Sequence, residues 1–520
     1  MSHPRALHPS VLVPLLGISA AGAVVGVQLL TSLGVTPNTS LVGAVLAMVL
    51  GRIPLVGLGV FRSMHAQNLA QSAMSAATFG AANSLLLPIG VPYLFGRPDL
   101  VAPMLAGVAG AMFLDAYVLY RLFGSRVFPA DGAWPHGVAA AEAIRAGDAG
   151  GAAARRLLAS LAAGAGGAWL GLPASAFGIA CIGNPWALAM FGLGLLASGY
   201  ASRLAGVDLA GQYVPHGMMI GAGLVALVQV VAQLASRRHG GRAGDRAVPD
   251  RHLRTALVLG AWGFVGLAAA LALATGLAAA MPVWQVAAFV LYAAAAAFLH
   301  ELIVGLAAMH SGWFPAFAVA LITLLVGVLA GFPPVALAVL TGFSVATGPA
   351  FADMGYDLKT GYLLRGRGDD PAFEAEGRRQ QFVAATLAFA VALAVVALTW
   401  PAYFARDLVP PVARVYVATI SAGVAPGVAQ SLILWAVPGG LLQLAGGSAR
   451  QLGVLLSTGL LIANPVAGWG VLAGLATRFV WTRLLSRPSA SLEVVAAGVI
   501  AGDAVWSFGD AIVRTPRGSA

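Results

Sequence analysis

Phe351-Ala352-Asp353-Met354-Gly355-Tyr356-Asp357-Leu358-Lys359-Thr360-Gly361-Tyr362-Leu363-Leu364 ends a run of 51 residues, Leu302 to Ala352, that holds no Asp, Glu, Lys or Arg. Asp353, Asp357 and Lys359 then arrive within seven positions, and Lys359 is the single lysine among 29 basic residues. Lysine carries a compact, titratable ammonium, whereas arginine carries a planar fork that stays charged, so the two are not interchangeable. These charges either mark where a span leaves the membrane or serve chemistry inside it. Spacing alone leaves both readings open.

The surrounding composition decides the fold class. The chain has 520 residues, of which 59% are hydrophobic and 9% charged; soluble domains carry about 25% charged residues. A bilayer core needs ~20 apolar residues per helix. Arg62 to Arg97 encloses 34 uncharged residues, Arg254 to Glu301 encloses 46, and Arg414 to Arg450 encloses 35. Lipid cannot satisfy backbone polar groups, so spans are helices or closed barrels. Barrel strands alternate with period two over about 10 residues, and these runs are long and continuous. The sequence therefore predicts an all-α, polytopic helical membrane protein of about 14 to 16 spans, with broken or re-entrant helices.

The expected spans lie near 11–30, 38–60, 68–93, 99–121, 152–171, 183–202, 211–235, 254–278, 282–307, 312–331, 334–351, 380–404, 425–445, 450–477 and 490–512. The stretch 450–477 has room for two shorter helices. Two apolar pieces, 134–146 and 410–424, begin at prolines and are too short to cross alone. They sit at corresponding places in the two halves, a pattern that points to a transporter binding site. The halves are 1–236 and 255–520, joined by a basic loop at 237–254. That loop and a second charged stretch, Arg365 to Arg379, read as solvated cytoplasmic loops under the positive-inside rule. The same rule accounts for the net charge of +10 without a nucleic-acid partner. The first apolar run, Val11 to Leu30, exceeds a signal-peptide core and reads as a retained span. The 66 glycines suit close helix packing in lipid.

Charges inside a membrane are expensive and therefore functional candidates. Glu142 follows His136 at helical spacing; Glu301 stands beside His300 in an otherwise charge-free run of 98 residues, Thr255 to Ala352. Asp115 and Asp503 lie inside expected spans. Each can relay a proton, and each can equally be a helix-end residue or a hydrogen-bonded neutral acid. Burial favours the neutral carboxyl, which brings its titration toward neutral pH. A second polar concentration runs from His65 to Ser75. There Gln67, Gln71 and Ser75 recur every four residues and share a helix face, flanked by Asn68 and Ser72. Amides and hydroxyls suit a peptide-like solute, and they also serve as interhelical glue.

Other chemistries lack their residues. No GxxxxGK[ST], HExxH or GxSxG pattern occurs, so neither an ATP-driven pump nor a hydrolase is expected. The lone Cys181 excludes an internal disulfide and a multi-cysteine metal site. No catalytic residue, cofactor or metal is assigned.

Four stretches resemble one known family in its order. Asp353-Met354-Gly355-Tyr356-Asp357-Leu358-Lys359-Thr360-Gly361-Tyr362-Leu363, followed by Arg378-Arg379-Gln380-Gln381, resembles the Asp-Leu-Lys-Thr-Gly-Tyr…Gln-Gln signature of the oligopeptide transporter family, which includes the yellow-stripe-like metal-chelate carriers. Gln67-Asn68-Leu69-Ala70-Gln71-Ser72-Ala73 is similar to its Asn-Asn-Leu-Val-Gln-Thr element. Trp134 to Gly147 resembles its Pro-x-Gly-x-Ala-x-Ala-Glu-x-Leu-Lys-Ala-Gly segment. Ala497-Gly498-Val499-Ile500-Ala501-Gly502-Asp503 resembles its closing Gly-Leu-Ile-Ala-Gly-Glu. The departures are Ala66 where an acid is expected, with His65 adjacent, Asp503 in place of Glu, and a short middle loop.

The resemblance implies a bacterial-type carrier in the inner membrane, through a bundle of roughly sixteen helices. It implies cation-coupled uptake, with the proton as the expected ion, of short peptides or peptide-like metal chelates. Gln67, Asn68, Gln71, Ser72, Asp353, Asp357, Lys359 and Tyr362 are the expected substrate-binding residues; Lys359 would pair with a substrate carboxylate or with Asp357. Glu142, Glu301, Asp503 and His136 are the expected proton-coupling residues. The partners are then the peptide, protons and the bilayer, with a homodimer open. The alternatives are a channel or small-ion exporter, or a membrane-embedded enzyme.

Overall fold

A computed structural model of the protein describes residues 3–33, 39–54, 57–235, 250–312, 315–423, 427–462 and 464–514. Most of the basic loop predicted at 237–254 lies outside them. Among the described residues every regular element is a helix, and the sole β pairing is an isolated bridge between Phe123 and Phe128.

The first half comprises α1 (Pro9–Leu33), α2 (Ser40–Leu50), α3 (Met64–Phe79), α4 (Leu87–Leu94), α5 (Val101–Leu122), α6 (Pro135–Ala149), α7 (Gly151–Trp169), α8 (Ala174–Ile182), α9 (Pro185–Ala205) and α10 (Val214–Ala235). The second comprises α11 (Asp250–Ala274), α12 (Leu277–Ala280), α13 (Val283–Ser311), α14 (Ala316–Leu329), α15 (Pro334–Ala346), α16 (Pro349–Leu364), α17 (Pro371–Ala405), α18 (Pro411–Ala422), α19 (Val428–Arg450), α20 (Leu452–Ile462), α21 (Pro465–Phe479) and α22 (Ser489–Arg514). Nine stretches of the described residues are helical, long and apolar enough to cross a membrane, and three shorter apolar helices accompany them. The polytopic helical class is thereby established. The predicted span 450–477 divides into α20 and α21, and the proline-initiated pieces form the short helices α6 and α18.

Besides Val428–Arg450, which kinks at Gly447 near its end, two of the nine stretches are interrupted along their length, and both are buried. Met64–Leu94 joins α3 to α4 through a π-helical segment, Gly80–Leu86. Such widened turns often accompany functional sites. Pro334–Leu364 joins α15 to α16 across Thr347-Gly348. Gly348 has φ +98°, a backbone angle that favours glycine, and Pro349 at the first helical position suits the new helix start. In each of these two stretches 94% of the apolar window is buried, against 28–50% in the other seven. The broken pair therefore forms the centre of the bundle.

Around that centre, helices meet through glycine. A methyl added at Gly221 of α10 would strike the Ala436 backbone of α19, and one at Gly439 would strike Met218. Gly194 and Gly459 face each other between α9 and α20; Gly164 of α7 abuts Val499 of α22, and Gly502 abuts Leu161. Small residues permit this backbone proximity, and dispersion then holds the helices where no hydrophobic drive exists. Large apolar side chains such as Trp262, Leu398 and Val283 point outward, as a lipid-facing rim requires.

The 35-residue α17 is about 52 Å long at the usual rise, well beyond a ~30 Å hydrocarbon core. Its first turns hold the charges predicted to lie in a loop between Arg365 and Arg379. The turn at Gly366–Gly368 is short, and Asp370 caps the helix by accepting from the amides of Ala372 and Phe373. Arg365 is buried and paired with Glu374 at 2.7 Å. From Pro371 this stretch is therefore helix and not loop, while Arg367, Asp369, Asp370 and Arg379 remain exposed.

Candidate functional site

The amide-and-hydroxyl face of α3 lies against the acidic face of α16. Ser63 opens α3 by accepting from the His65 amide. From there Gln67, Gln71 and Ser75, four residues apart, line one side. On α16, Asp353 and Asp357 are likewise one turn apart. Gln71 Nε2 donates to Asp357 Oδ1 at 2.5 Å, and the Ser75 hydroxyl donates to Asp353 Oδ1. Asn68 Nδ2 donates to Gln71 Oε1 at 2.9 Å, which orients the glutamine amide toward Asp357. Ser40 of α2 donates to Ser75 at 3.0 Å. Gln71, Ser72, Ser75, Asp353 and Asp357 are all 0% exposed.

Each aspartate is only half satisfied. Oδ2 of Asp353 and Oδ2 of Asp357 have no hydrogen-bond partner, and neither does the buried Tyr356 hydroxyl between them. A buried carboxylate oxygen without a donor is costly. Two such oxygens one turn apart on α16 are acceptors left open to a group that brings its own N–H or O–H donors.

Gln381 of α17 completes the cluster. Its Nε2 donates to the Ser72 hydroxyl at 3.1 Å and to the Asp357 carbonyl at 2.6 Å. Arg365 Nη1 donates to Gln381 Oε1 at 2.8 Å. The sequence reading quoted Gln381 in a signature and left it, with Ser75, outside the expected binding residues. The signal was present: Ser75 continues the four-residue spacing, and Gln381 closes the motif.

Lys359 takes a different direction from the one expected. It does not reach Asp357. Its Nζ donates to the Ala130 carbonyl at 2.8 Å and lies 5.7 Å from the centre of the Tyr362 ring. The Tyr362 hydroxyl in turn donates to Asp131 at 3.3 Å. The reason is helix geometry: two positions along an α-helix turn the side chain by about 200°, so Lys359 points to the opposite side from Asp357. There it packs on α6, where a methyl at Gly137 would meet the Lys359 stem at 2.7 Å. Lys359 is 4% exposed, so the single ammonium is buried.

The remaining expected residues are dispersed. Gln67 Nε2 donates to the Phe61 carbonyl at 2.9 Å. His136 Nε2 lies 3.1 Å from the Gly312 carbonyl, and its ring meets the Tyr356 ring edge-on at 5.0 Å. Glu142 pairs with Arg145 at 2.9 Å, and Arg145 also donates to the Leu363 carbonyl. Asp503 accepts from the Ser175 amide at 2.6 Å and from the Ser507 hydroxyl at 3.3 Å. Glu301 is 0% exposed with both oxygens unpartnered. No group of three or more His, Cys, Asp or Glu side chains with metal-holding geometry occurs among the described residues.

No curated protein matches the chain. The model of one family, described as OPT oligopeptide transporter protein, matches residues 12–230 and 199–513. Those matches include α3, α16 and the Gln381 region that together hold the buried aspartates, and the chain belongs to the oligopeptide transporter family.

Proposed function

We propose that this chain is a proton-coupled secondary transporter that imports short oligopeptides or peptide-like metal chelates, in an inner membrane with its charged loops cytoplasmic. One observation carries the reading. Asp353 and Asp357 each spend one oxygen on α3 and keep the other without a partner. A peptide's terminal ammonium is a compact cation with three donors, and it matches two carboxylate oxygens one turn apart.

Gln71, Ser72 and Asn68 supply uncharged donors and acceptors for the peptide bonds. Gln67 and Tyr362 flank them. Lys359, on the other side of α16, is the counter-charge for a carboxylate that arrives beside the Ala130–Asp131 loop. All of these groups except Tyr362 are buried, so loading requires α3 and α16 to part. The breaks at Gly80–Leu86 and Gly348 give both helices a place to bend, as alternating access by discontinuous helices needs.

Four residues are proposed proton carriers: Glu142, Glu301, Asp503 and His136. Their surroundings differ. Glu142 is held by Arg145, Asp503 by a backbone amide and a serine, and His136 faces a carbonyl. Glu301 has no such partner and is the best supported of the four.

A thermal-shift screen of purified protein against di- to hexapeptides, metal-chelate peptides and simple salts tests the substrate class. A ligand at 100 times its Kd stabilises by ~2.7 kcal/mol, readily seen as a raised Tm. Stabilisation by one peptide length class, and not by inorganic cations, supports the reading. Stabilisation by ions alone, together with uncoupled flux in proteoliposomes, would establish a channel or ion exporter instead.

A further inference from the structure

A second buried acid pair lies away from the α3–α16 contact, where α15 breaks from α16. Asp115 of α5 is 0% exposed, and its Oδ2 accepts from the Gly348 amide at 2.6 Å. Its Oδ1 has no partner. Glu301 of α13 is also 0% exposed and neither of its oxygens has a partner; a methyl added at Gly348, the residue Asp115 holds, would meet Val304, three positions on from Glu301, at 3.0 Å, so both acids flank the same break. His300, the preceding residue, sets Nδ1 2.6 Å from the Ser344 carbonyl just before the same break. That contact requires a proton on Nδ1, so the neutral ring keeps Nε2 unprotonated.

The bond inventory is thus unbalanced. Of the pair's four carboxyl oxygens, one accepts from the Gly348 amide and three meet no donor. Two ionised carboxyls side by side in a low-dielectric interior repel strongly, whereas one proton between them satisfies both. Neither acid takes part in an ion pair among the described residues. Of the other helices packed on α13, α12, α14, α15 and α20 contain no titratable residue, while α10 carries His216, α9 Tyr200 and Arg203, and α6 His136, Glu142, Arg145 and Asp148. The charges of α11 lie in its first turns, Asp250 to Arg254. On α16 the nearest acid in sequence to the break is Asp353, one turn past Gly348.

We propose that Asp115 and Glu301 form a proton-binding site that shares one proton, and that its occupancy sets the strength of Asp115's hold on the Gly348 break. With one proton on the pair, held by Glu301, ionised Asp115 grips the Gly348 amide through a charge-assisted bond. A second proton, on Asp115, leaves a neutral acceptor and a weaker grip. No covalent bond changes; the proton comes from water and returns to it. The break opens the helix that carries Asp353 and Asp357, so this site deepens the proposed transport reading and rests on it for its role, though not for its chemistry.

The experiment separates the two. Infrared spectra of wild type at neutral pH, with and without ¹³C-glutamate, read protonated carboxylic acids directly. Of the five glutamates in the chain, only Glu301 is fully buried. A protonated-acid band that shifts on glutamate labelling, or one that Asp115→Asn removes, is expected. Absence of both, in protein that remains folded, would overturn the site. In proteoliposomes, Glu301→Gln is then expected to lose accumulation driven by a pH gradient. Coupling that survives in Glu301→Gln and Asp115→Asn would overturn the role even with the band present. If wild type carries no peptide at all, the transport reading fails, while the infrared result still decides the proton site.

Discussion

Replacing Gln71 with methionine keeps the side chain's length and removes its amide. Two bonds are lost: donation to Asp357 at 2.5 Å and acceptance from Asn68 at 2.9 Å. Among the described residues Gln71 is the one side-chain donor to Asp357, whose second oxygen is already unpartnered, so Gln71→Met strands the whole carboxyl. Hydrogen bonds between membrane helices average ~0.6 kcal/mol in double-mutant cycles; a bond to a charged group contributes ~1.5–3 kcal/mol. If Asp357 is an ionised binding group, the coupling between Gln71 and Asp357 falls in the second range. The assay is a cycle of Gln71→Met, Asp357→Leu and the double variant, measured by reversible unfolding in mixed micelles at pH 8. Gln71→Met alone is expected to cost ~2–4 kcal/mol as the two bonds go, and much less in the Asp357→Leu background. A coupling at or below ~0.5 kcal/mol would show two independent pieces of packing and refute the view of Asp357 as a poised carboxylate.

Three further outcomes follow from particular contacts. Lys359→Arg should lower uptake by about tenfold, because its stem is wedged against Gly137 and overpacking a full site costs ~1–3 kcal/mol; uptake assays should show little change for exposed Arg379→Lys or Arg414→Lys, and equal effects would remove Lys359 from the mechanism. Gly221→Ala should destabilise by ~1–3 kcal/mol because its methyl meets the Ala436 backbone, whereas Gly17→Ala meets nothing within 4 Å and should be neutral or gain up to ~1 kcal/mol in helix propensity; both are read by unfolding in micelles. His3, ahead of α1, packs on the rings of His65 and Phe373, and burial, aided by Arg365, lowers its pKa from 6.5 to about 4. Its neutral form is the docked one, so docking of the N-terminal segment is fully present above pH 6.5 and weakens as pH falls toward 4; hydrogen exchange at residues 3–8 should rise over that window in wild type and stay flatter in His3→Phe.

Much of this architecture is legible in the sequence because charge is so scarce. Long apolar runs holding at most one or two charges locate α5, α9, α10 and α13 to within a few residues, since lipid admits little else. The break after Ala346 was expected near residue 351, although Thr347-Gly348-Pro349 is itself a stop-and-start signal. In the charged stretch Arg365–Arg379, Arg367, Asp369, Asp370 and Arg379 do face outward, but Pro371 onward is helix, and Arg365 is buried on Glu374 and Gln381. At the site, helical spacing grouped Gln71 with Ser75 and Asp353 with Asp357, but spacing is local. That the two faces meet, across 286 positions for Gln71 and Asp357, is tertiary information no periodicity contains. The direction of Lys359 was legible and was missed, since a step of two on a helix separates side chains. The Asp115–Gly348 contact links residues 233 apart, and nothing near either residue announces it.

The most direct test is calorimetric. Take a peptide that raises the Tm of the purified protein, and titrate it beside its N-acetylated twin into wild type and into Asp353→Asn/Asp357→Asn. Wild type should bind the free peptide at least ~100-fold more tightly than the acetylated one, since losing a buried charge-assisted contact costs roughly 3 kcal/mol, and the double variant should bind both alike and weakly. Equal affinity of wild type for the two peptides, or tight binding that survives in the double variant, would contradict the placing of the peptide's ammonium between Asp353 and Asp357.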